Sequence, residues 1–272
     1  MPSPPTPSTP GGPEPVPGSV ASTAIAGVLA AAPRPARVLG ASPTAVYLVV
    51  EGGEEGPDVV AIVAARAVHL PVAVVVPGQA PTVRDPAAVW VGGGGIDLGG
   101  WSLVPARWVD PRPHIAGHPL AGPLDEVAEL LAVPAETAGV IAHPAAAVAD
   151  GLRAGDPAPA LDLLGQGPGL TPSGDDVVAG AAAALAVLGV LDAAAAAAVV
   201  DAARGATTVL SAALLRCATR GEMVPQAAAL LRALCGQGAS AAALDGLLGV
   251  GHTTGAALAL GLFAGARSAL AG

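Results

Sequence analysis

The sequence predicts an α+β fold in which an antiparallel β sandwich or barrel-like region precedes a C-terminal helical bundle. Between residues 36 and 113, short β-branched runs alternate with Gly, Pro and Asp, and turn signals recur about every ten residues. From residue 123 onward, apolar residues follow a helical period and the connections are short and marked by glycine. We therefore predict three segments: a Pro-rich tail over residues 1–18, a β-rich domain over 19–118 and an α-helical domain over 119–272.

Local patterns place the individual elements along the chain. The tail is rich in Pro, Ser, Thr and Gly, which cannot bury enough apolar surface to offset the entropy of ordering, so we predict that it is disordered. A short helix is expected between Ser22 and Ala32, before Pro33. Strands are predicted at residues 45–50, 59–63, 72–76 and 88–91, with a turn and a small strand at 93–98. Helices are predicted at residues 124–131, 145–153, 160–164, 175–188, 193–203, 208–220, 225–234, 240–248 and 254–270.

The composition limits the chemistry that the chain can perform. Apolar residues make up 53% of the 272 residues and aromatic residues only 2%, so the core must consist mainly of Ala, Val and Leu. All 12 basic residues are Arg, and without Lys the chain can form neither a pyridoxal-phosphate Schiff base nor a Walker-type phosphate site. The formal net charge of -9 argues against nucleic-acid binding, which needs a basic face.

Two features bear on the cellular compartment. Cys217 and Cys235 form no CxxC motif and show no metal-ligand spacing with His, so we interpret them as reduced, buried thiols of a cytoplasmic protein without a signal peptide. The apolar stretch 177–200 is dominated by Ala and Gly and contains Asp192. A buried helical hairpin that turns near residues 189–192 fits this composition better than a membrane span does.

The loop from Gly165 to Asp176, with the sequence GQGPGLTPSGDD, is the most informative segment. Ser173 and Asp176 have the spacing of a capping box, and the carboxylates of Asp175 and Asp176 complement a helix dipole. Capping does not explain why so much Gly and Pro precedes these residues. Backbone N–H groups at a helix start, with the hydroxyls of Thr171 and Ser173, would also hold an anion such as phosphate, with Mg²⁺ or an Arg between the carboxylates. Both interpretations stay open at this point.

A second candidate site lies at Thr207, Thr208 and Ser211. Either Thr would cap the helix that follows, and Arg216 and Arg220 share one face of that helix. The pattern is typical of a capped helix with a solvated basic face. It also fits a site in which hydroxyl groups and an Arg side chain bind an oxyanion or a carboxylate.

A third candidate site is the run from Gly251 to Gly255, with the sequence GHTTG, again at the start of a helix. We expect His252 to have a lowered pKa and to act as a general base or as a hydrogen-bond donor to a carbonyl, unless it is a buried structural residue. The other histidines show no metal-ligand spacing: His69, His114, His118 and His143. All three candidate sites are hydroxyl-bearing helix starts with glycine nearby. If the fold brings them together, their N–H groups and dipoles converge on one anion-attracting pocket.

These motifs resemble an uncharacterised domain family that includes the AllH subunit of oxamate carbamoyltransferase, from anaerobic allantoin breakdown. The similarity rests on three segments: 169–176, 207–216 and 251–255. It covers the chain from near Ala36 to the C-terminus and is strongest from Gly165 onward. The family pattern generally reads GHSSG followed by x-Asp, whereas this chain has Thr253 and Thr254 as the hydroxyl pair and Ala257 in place of the Asp.

The resemblance implies carbamoyl transfer between carbamoyl phosphate and oxamate, with oxalurate on the other side of the reaction and two further subunits in the complex. His252 would accept a proton or polarise a carbonyl, while Asp175 and Asp176 would orient the reacting groups or hold Mg²⁺. Arg216 would clamp a carboxylate such as that of oxamate. The implied substrate- and phosphate-binding residues, besides Arg216, are Gly169, Thr171, Ser173, Gly174, Thr208, Ser211, Thr253 and Thr254.

Two other functions compete with that of an enzyme subunit. The chain would be a non-catalytic structural or regulatory subunit if its Gly- and Pro-rich loop binds a metabolite or forms the partner interface. It would be a stand-alone binding protein if the pocket holds a small anion without turning it over. A small anionic metabolite is the expected ligand, and neither nucleic acid nor a membrane is an expected partner.

Overall fold

A computed structural model describes residues 15–53, 58–83, 86–131 and 144–271. The chain forms two compact units, Met1–Pro111 and Arg112–Gly272. Most of the predicted N-terminal tail, as well as His143, lies outside the described residues. The first strand begins at Pro15, so the predicted tail overlaps this strand at residues 15–18.

The first unit contains, within its described residues, eight strands that close into a barrel. The strands are β1 (Pro15–Ser22), β2 (Arg34–Ala41), β3 (Ala45–Val50), β4 (Asp58–Ala64), β5 (Ala73–Val76), β6 (Val89–Gly92), β7 (Gly95–Leu98) and β8 (Ser102–Val109). Their order around the barrel is β1-β5-β4-β3-β2-β6-β7-β8. A short helix, α1 (Ala26–Ala30), follows β1. Strands β3 and β4 are buried along almost their whole length and supply the aliphatic residues of the barrel core.

The sheet follows one of the two predicted arrangements and corrects the predicted strand directions. It closes on itself as a barrel, the alternative to a sandwich. It is mixed and not antiparallel, because β1 pairs parallel with β8 and β4 pairs parallel with β5. The connection over residues 65–72 returns the chain to the direction of β4, which a hairpin turn cannot do. Strands β1, β2 and β8 were not predicted because each contains Pro, which lacks the amide proton used in strand pairing.

The second unit is helical within its described residues. Its helices are α2 (Ala121–Leu130), α3 (Pro144–Ala154), α4 (Ala158–Leu161), α5 (Ser173–Val187), α6 (Ala193–Ala206), α7 (Val209–Ala218), α8 (Pro225–Leu234), α9 (Ser240–Leu248) and α10 (Thr254–Ala271). Each helix predicted from residue 124 onward is present, with small shifts at the ends. The apolar periodicity and the Gly and Pro punctuation therefore located the helices correctly.

Helices α5 and α10 pack together along most of their lengths, and α3 and α7 also pack against α5. Glycine makes this close approach possible: a Cβ on Gly261 of α10 would overlap the Val177 carbonyl oxygen of α5. Similarly, a Cβ on Gly265 would lie too close to Ala181 and Ala184. Because the contacts advance along both helices in the same direction, α5 and α10 run parallel. Their N-terminal ends therefore lie side by side.

One of the described helices, α10, is long and apolar enough to cross a membrane by length and composition alone. Of its 18-residue window, 61% is buried inside the structure, which is typical of a core helix. The apolar stretch 177–200 is divided between α5 and α6 by a turn at residues 188–192, so it does not form one long helix.

The glycine contact between α5 and α10 yields a stability prediction. Replacing Gly261 by Ala should lower the free energy of unfolding of the helical unit by about 1–3 kcal/mol, because the added methyl group would force the two backbones apart. Gly246 of α9 is a matched control, since nothing lies within 4 Å of its Cβ position. Gly246→Ala should be neutral or slightly stabilising. Urea unfolding followed by far-UV circular dichroism measures both changes, and equal effects would contradict the packing argument.

Candidate functional site

The loop before α5 contains glycines that its backbone geometry requires. Gly165 (φ +73°) and Gly167 (φ +115°) adopt left-handed backbone conformations, which favour glycine. Gly174, the second residue of α5, donates its N–H to the Gln166 carbonyl oxygen at 2.9 Å. A Cβ on Gly174 would overlap the Leu163 carbonyl oxygen. The loop therefore folds tightly against the first turn of α5.

Asp175 joins three segments through a carboxylate that is only 1% exposed. Its Oδ1 accepts a hydrogen bond from the Gly165 N–H at 2.7 Å. Its Oδ2 accepts one from the Ser211 hydroxyl at 2.6 Å and another from the Thr207 hydroxyl. Since both oxygens are engaged by the protein, Asp175 holds the glycine loop and the start of α7 against α5. The geometry makes it a positioning residue.

Ser173 does not cap α5, so the capping-box interpretation is wrong. The N-cap position is occupied by Pro172, which makes no side-chain capping bond, and Ser173 is the first helical residue. The Ser173 hydroxyl instead donates to Thr253 Oγ1 at 3.3 Å. Ser173 and Asp175 are thus directed at other segments of the chain and not at the amides of their own helix.

The turn before α10 brings two more hydroxyl groups to the same place. Thr171 Oγ1 and Thr254 Oγ1 lie 3.3 Å apart, within hydrogen-bond distance. Gly255 permits this arrangement, because a Cβ there would overlap the Leu247 carbonyl oxygen of α9. We call Thr171, Ser173, Thr253 and Thr254 the hydroxyl cluster. It joins the loop before α5 to the start of α10.

Asp176 places a second buried carboxyl group beside the hydroxyl cluster. It is 5% exposed and accepts a hydrogen bond from Thr254. Its Oδ2 has no hydrogen-bond partner among the described residues. Burial raises the pKa of Asp176 to about 8; the Thr254 hydrogen bond opposes this rise and the charge of Asp175 adds to it. At neutral pH the carboxyl group is therefore mostly protonated.

Thr208 connects the start of α7 to the glycine loop. It is the N-cap of α7, and its Oγ1 accepts a hydrogen bond from the Ser211 N–H at 3.1 Å. The same hydroxyl donates to the Leu170 carbonyl oxygen. The predicted cap is therefore confirmed for Thr208, while the hydroxyl of its neighbour Thr207 donates a hydrogen bond to Asp175.

The remaining predicted residues lie at the margin of the site. His252 is exposed in the turn ahead of α10, so the alternative of a buried structural residue is wrong. Gly169 (φ +98°) lies in the loop and has nothing within 4 Å of its Cβ position. Arg216 lies in the last turn of α7. At about 1.5 Å per residue, it is roughly 12 Å from Thr208 along the helix axis, at the opposite end from the hydroxyl cluster.

Three helix starts, those of α5, α7 and α10, therefore meet around the glycine loop. Helix N-termini present backbone amides and the positive end of the helix dipole, which favour anions. Within the described part of the chain, no three His, Cys, Asp or Glu side chains form a group that could hold a metal ion. Both oxygens of Asp175 already accept hydrogen bonds from the protein.

Sequence reasoning did not predict that Asp175 is bonded by Thr207, Ser211 and the Gly165 N–H. Thr207 was considered as an alternative cap or as one hydroxyl of an oxyanion site. Two adjacent Thr residues cannot both cap one helix, which was a signal that the other has a different partner. The Gly165 N–H gave no signal, because its bond to Asp175 depends on the way the loop folds back on α5. Both hydrogen bonds hold the segments of the site together.

Residues 163–266 match the family model described as oxamate carbamoyltransferase subunit AllH. The matched region contains the hydroxyl cluster, both Asp residues, His252 and the starts of α5, α7 and α10. It confirms the resemblance that the motifs predict, and it does not include the barrel. No solved structure matches the chain.

The anchoring role of Asp175 predicts a loss of stability on substitution. Asp175→Asn should lower the free energy of unfolding of the helical unit by about 2–3 kcal/mol, because an amide NH₂ would face groups that donate hydrogen bonds. Asp162→Asn is the control, since Asp162 is exposed near the same loop. Urea titration of both variants tests the prediction, and a negligible loss for Asp175→Asn would refute the anchoring role.

The buried carboxyl group of Asp176 predicts a pH-dependent stability. Its folded-state pKa of about 8 lies above the ordinary value of 3.8, so its contribution to stability is fully present below about pH 4 and is lost as the pH rises toward 8. Asp176→Asn removes this titration. The Tm of the variant relative to wild type should therefore increase between about pH 4 and about pH 8. Calorimetry at several pH values measures this difference, and a constant difference would contradict the raised pKa.

Proposed function

We propose that this chain is a carbamoyltransferase-associated subunit, because residues 163–266 carry the AllH family pattern. Its helical unit would bind a small anionic substrate such as oxamate or carbamoyl phosphate. The observation that carries the proposal is the meeting of three helix starts around the hydroxyl cluster and Asp176. Helix N-termini and hydroxyl donors suit the oxygen atoms of a carboxylate or a phosphate.

The anchoring contacts support a site that is formed before the ligand arrives. Asp175 fixes the loop through Gly165 and fixes α7 through Ser211. Thr208 holds the loop a second time through the Leu170 carbonyl oxygen. Gly165, Gly167 and Gly169 have positive φ angles, which give the loop its shape. A site held in this way loses little conformational freedom on binding, which favours affinity for a small ligand.

The chemistry of carbamoyl transfer assigns a role to the exposed edge of the site. The amide nitrogen of oxamate attacks the carbamoyl carbon, the bond to the phosphate oxygen breaks, and the nitrogen gives up a proton. His252 lies next to Thr253 in the turn before α10 and is exposed, so it is available to accept that proton. Arg216 lies at the far end of α7 and is outside the proposed binding site.

A second candidate function is that of a binding or regulatory subunit without turnover of its own. The departure at Ala257 favours it, because this fully buried residue replaces the Asp of the family pattern. Both functions require a small anion at the hydroxyl cluster. They differ in whether His252 takes part in a reaction.

Binding tests the part of the proposal that both functions share. Thr254→Val should weaken oxamate or carbamoyl phosphate binding about tenfold, because it removes a hydroxyl that contacts both Thr171 and Asp176. Thr254→Ser is the matched control, since it keeps the hydroxyl and should bind like wild type. Isothermal titration calorimetry gives the dissociation constants. Equal affinity in wild type and Thr254→Val would place the ligand elsewhere.

Turnover separates the two candidate functions. In an assay of carbamoyl phosphate and oxamate with the two further subunits present, His252→Ala should lower kcat roughly 100-fold if His252 is the proton acceptor. Its Tm and its affinity for oxamate should remain those of wild type, since the side chain is exposed. Unchanged kcat together with intact complex assembly would favour the regulatory function.

A further inference from the structure

We propose that Asp176 is a hydrogen-bond donor to the bound anion, with its protonated carboxyl group pairing through Oδ2 with one oxygen of a carboxylate or a phosphate. The inference rests on the proposed function for the class of ligand, and it adds which group recognises that ligand. Asp176 is thereby distinguished from Asp175, which anchors the loop and does not reach the ligand.

The hydrogen-bond partners of the two adjacent acids carry the argument. Three donors reach Asp175: the Gly165 N–H and the hydroxyls of Thr207 and Ser211. Asp176 is almost as deeply buried, but it accepts from Thr254, and its Oδ2 finds no partner among the described residues. A buried polar atom without a partner is costly, so the missing partner is expected to be supplied by a ligand.

The protonated form of Asp176 explains both its one hydrogen bond and its missing partner. Its carbonyl oxygen accepts from Thr254, whose own Oγ1 lies 3.3 Å from Thr171 Oγ1. Its O–H group then needs an acceptor. Thr253, which accepts from Ser173, and the helix N-termini around the site offer donors to a ligand, so an anion that accepts from them also accepts from Asp176. A cation would instead require Asp176 to lose its proton.

The charges on the neighbouring elements do not favour the ionised form of Asp176. Several elements lie around Asp176: α5 itself, the helices α3, α7 and α10 that pack against it, and the turn before α10. Their charged and titratable groups are Asp175, Asp150, Arg153, Arg216, His252 and Arg267. Of these, Arg216 lies in the last turn of α7. Asp150 and Arg153 both contact Ser268, near the C-terminal end of α10. The electrostatic contribution to the pKa of Asp176 comes from Asp175, which raises it. Burial and a neighbouring like charge therefore act in the same direction.

Anion binding should consequently be linked to the proton on Asp176. Below about pH 8 the donor is present and the affinity should be nearly constant. Above this pH the protonated fraction falls, and an ionised Asp176 would repel the anion. The dissociation constant should then rise about tenfold for each pH unit.

Calorimetric titration with two probes, oxamate and inorganic phosphate, tests the inference across this pH range. Wild type and the control Asp162→Asn should show the rise in Kd above about pH 8. Asp176→Asn keeps an N–H donor, so it should bind both anions without this pH dependence. Asp176→Ala should bind about tenfold more weakly than wild type at neutral pH. A pH-independent Kd for wild type, or binding that requires Mg²⁺, would overturn the inference.

Infrared difference spectroscopy provides a readout that does not depend on the ligand. The spectrum of wild type minus Asp176→Asn at about neutral pH should contain the C=O band of a protonated carboxylic acid, which disappears as the pH is raised above about 8. Absence of this band would overturn the inference even if oxamate binds. If the band is present and phosphate binds with the expected pH profile but oxamate does not, the proposed substrate is wrong and the inference stands. Failure of both anions to bind would overturn both.

Discussion

The parallel packing of α5 and α10 is the constraint on which the site depends. Two parallel helices bring like ends of their dipoles together, which is electrostatically unfavourable unless something offsets it. Glycine at Gly180, Gly261 and Gly265 lets the backbones approach, so that van der Waals contact along the whole interface stabilises the pair. The remaining positive ends are then concentrated at one place. An anion bound there would relieve the repulsion that the packing creates.

The carboxylate of Asp175 holds the third helix start, that of α7, against the start of α5. Asp175 lies in the first turn of α5 and accepts bonds from Thr207 and Ser211 at the start of α7. Its negative charge also offsets the positive ends of the helices that it joins. This fixed charge has a consequence for its neighbour, because it disfavours a second negative charge on Asp176. The anchoring of the fold and the protonation of Asp176 are therefore two results of the same buried charge.

The helices could be predicted from the sequence to within a few residues, because apolar periodicity and Gly or Pro at the connections are local signals. The barrel was harder to predict from the sequence. Its parallel pairs depend on which strands meet across long stretches of chain, and β1, β2 and β8 contain Pro, which is unusual in strands. For the site, the three segments were identified, but the role of Ser173 was not. Whether a Ser at a helix start caps its own helix or contacts another is decided by tertiary packing, which spacing does not encode.

The replacement at Ala257 fits the character of the site in this chain. Ala257 follows Thr253 by one helical turn, so the two residues share a face of α10, and Ala257 is fully buried. An Asp there would add a third acidic side chain to the two that the first turn of α5 carries, and carboxylates that share a site are typical ligands of divalent cations. With Ala in this position, the acids described at the site are one anchoring carboxylate and one protonated donor. On the proposed function, Ala at this position leaves ligand recognition to the three helix starts, whose positive dipole ends favour an anion.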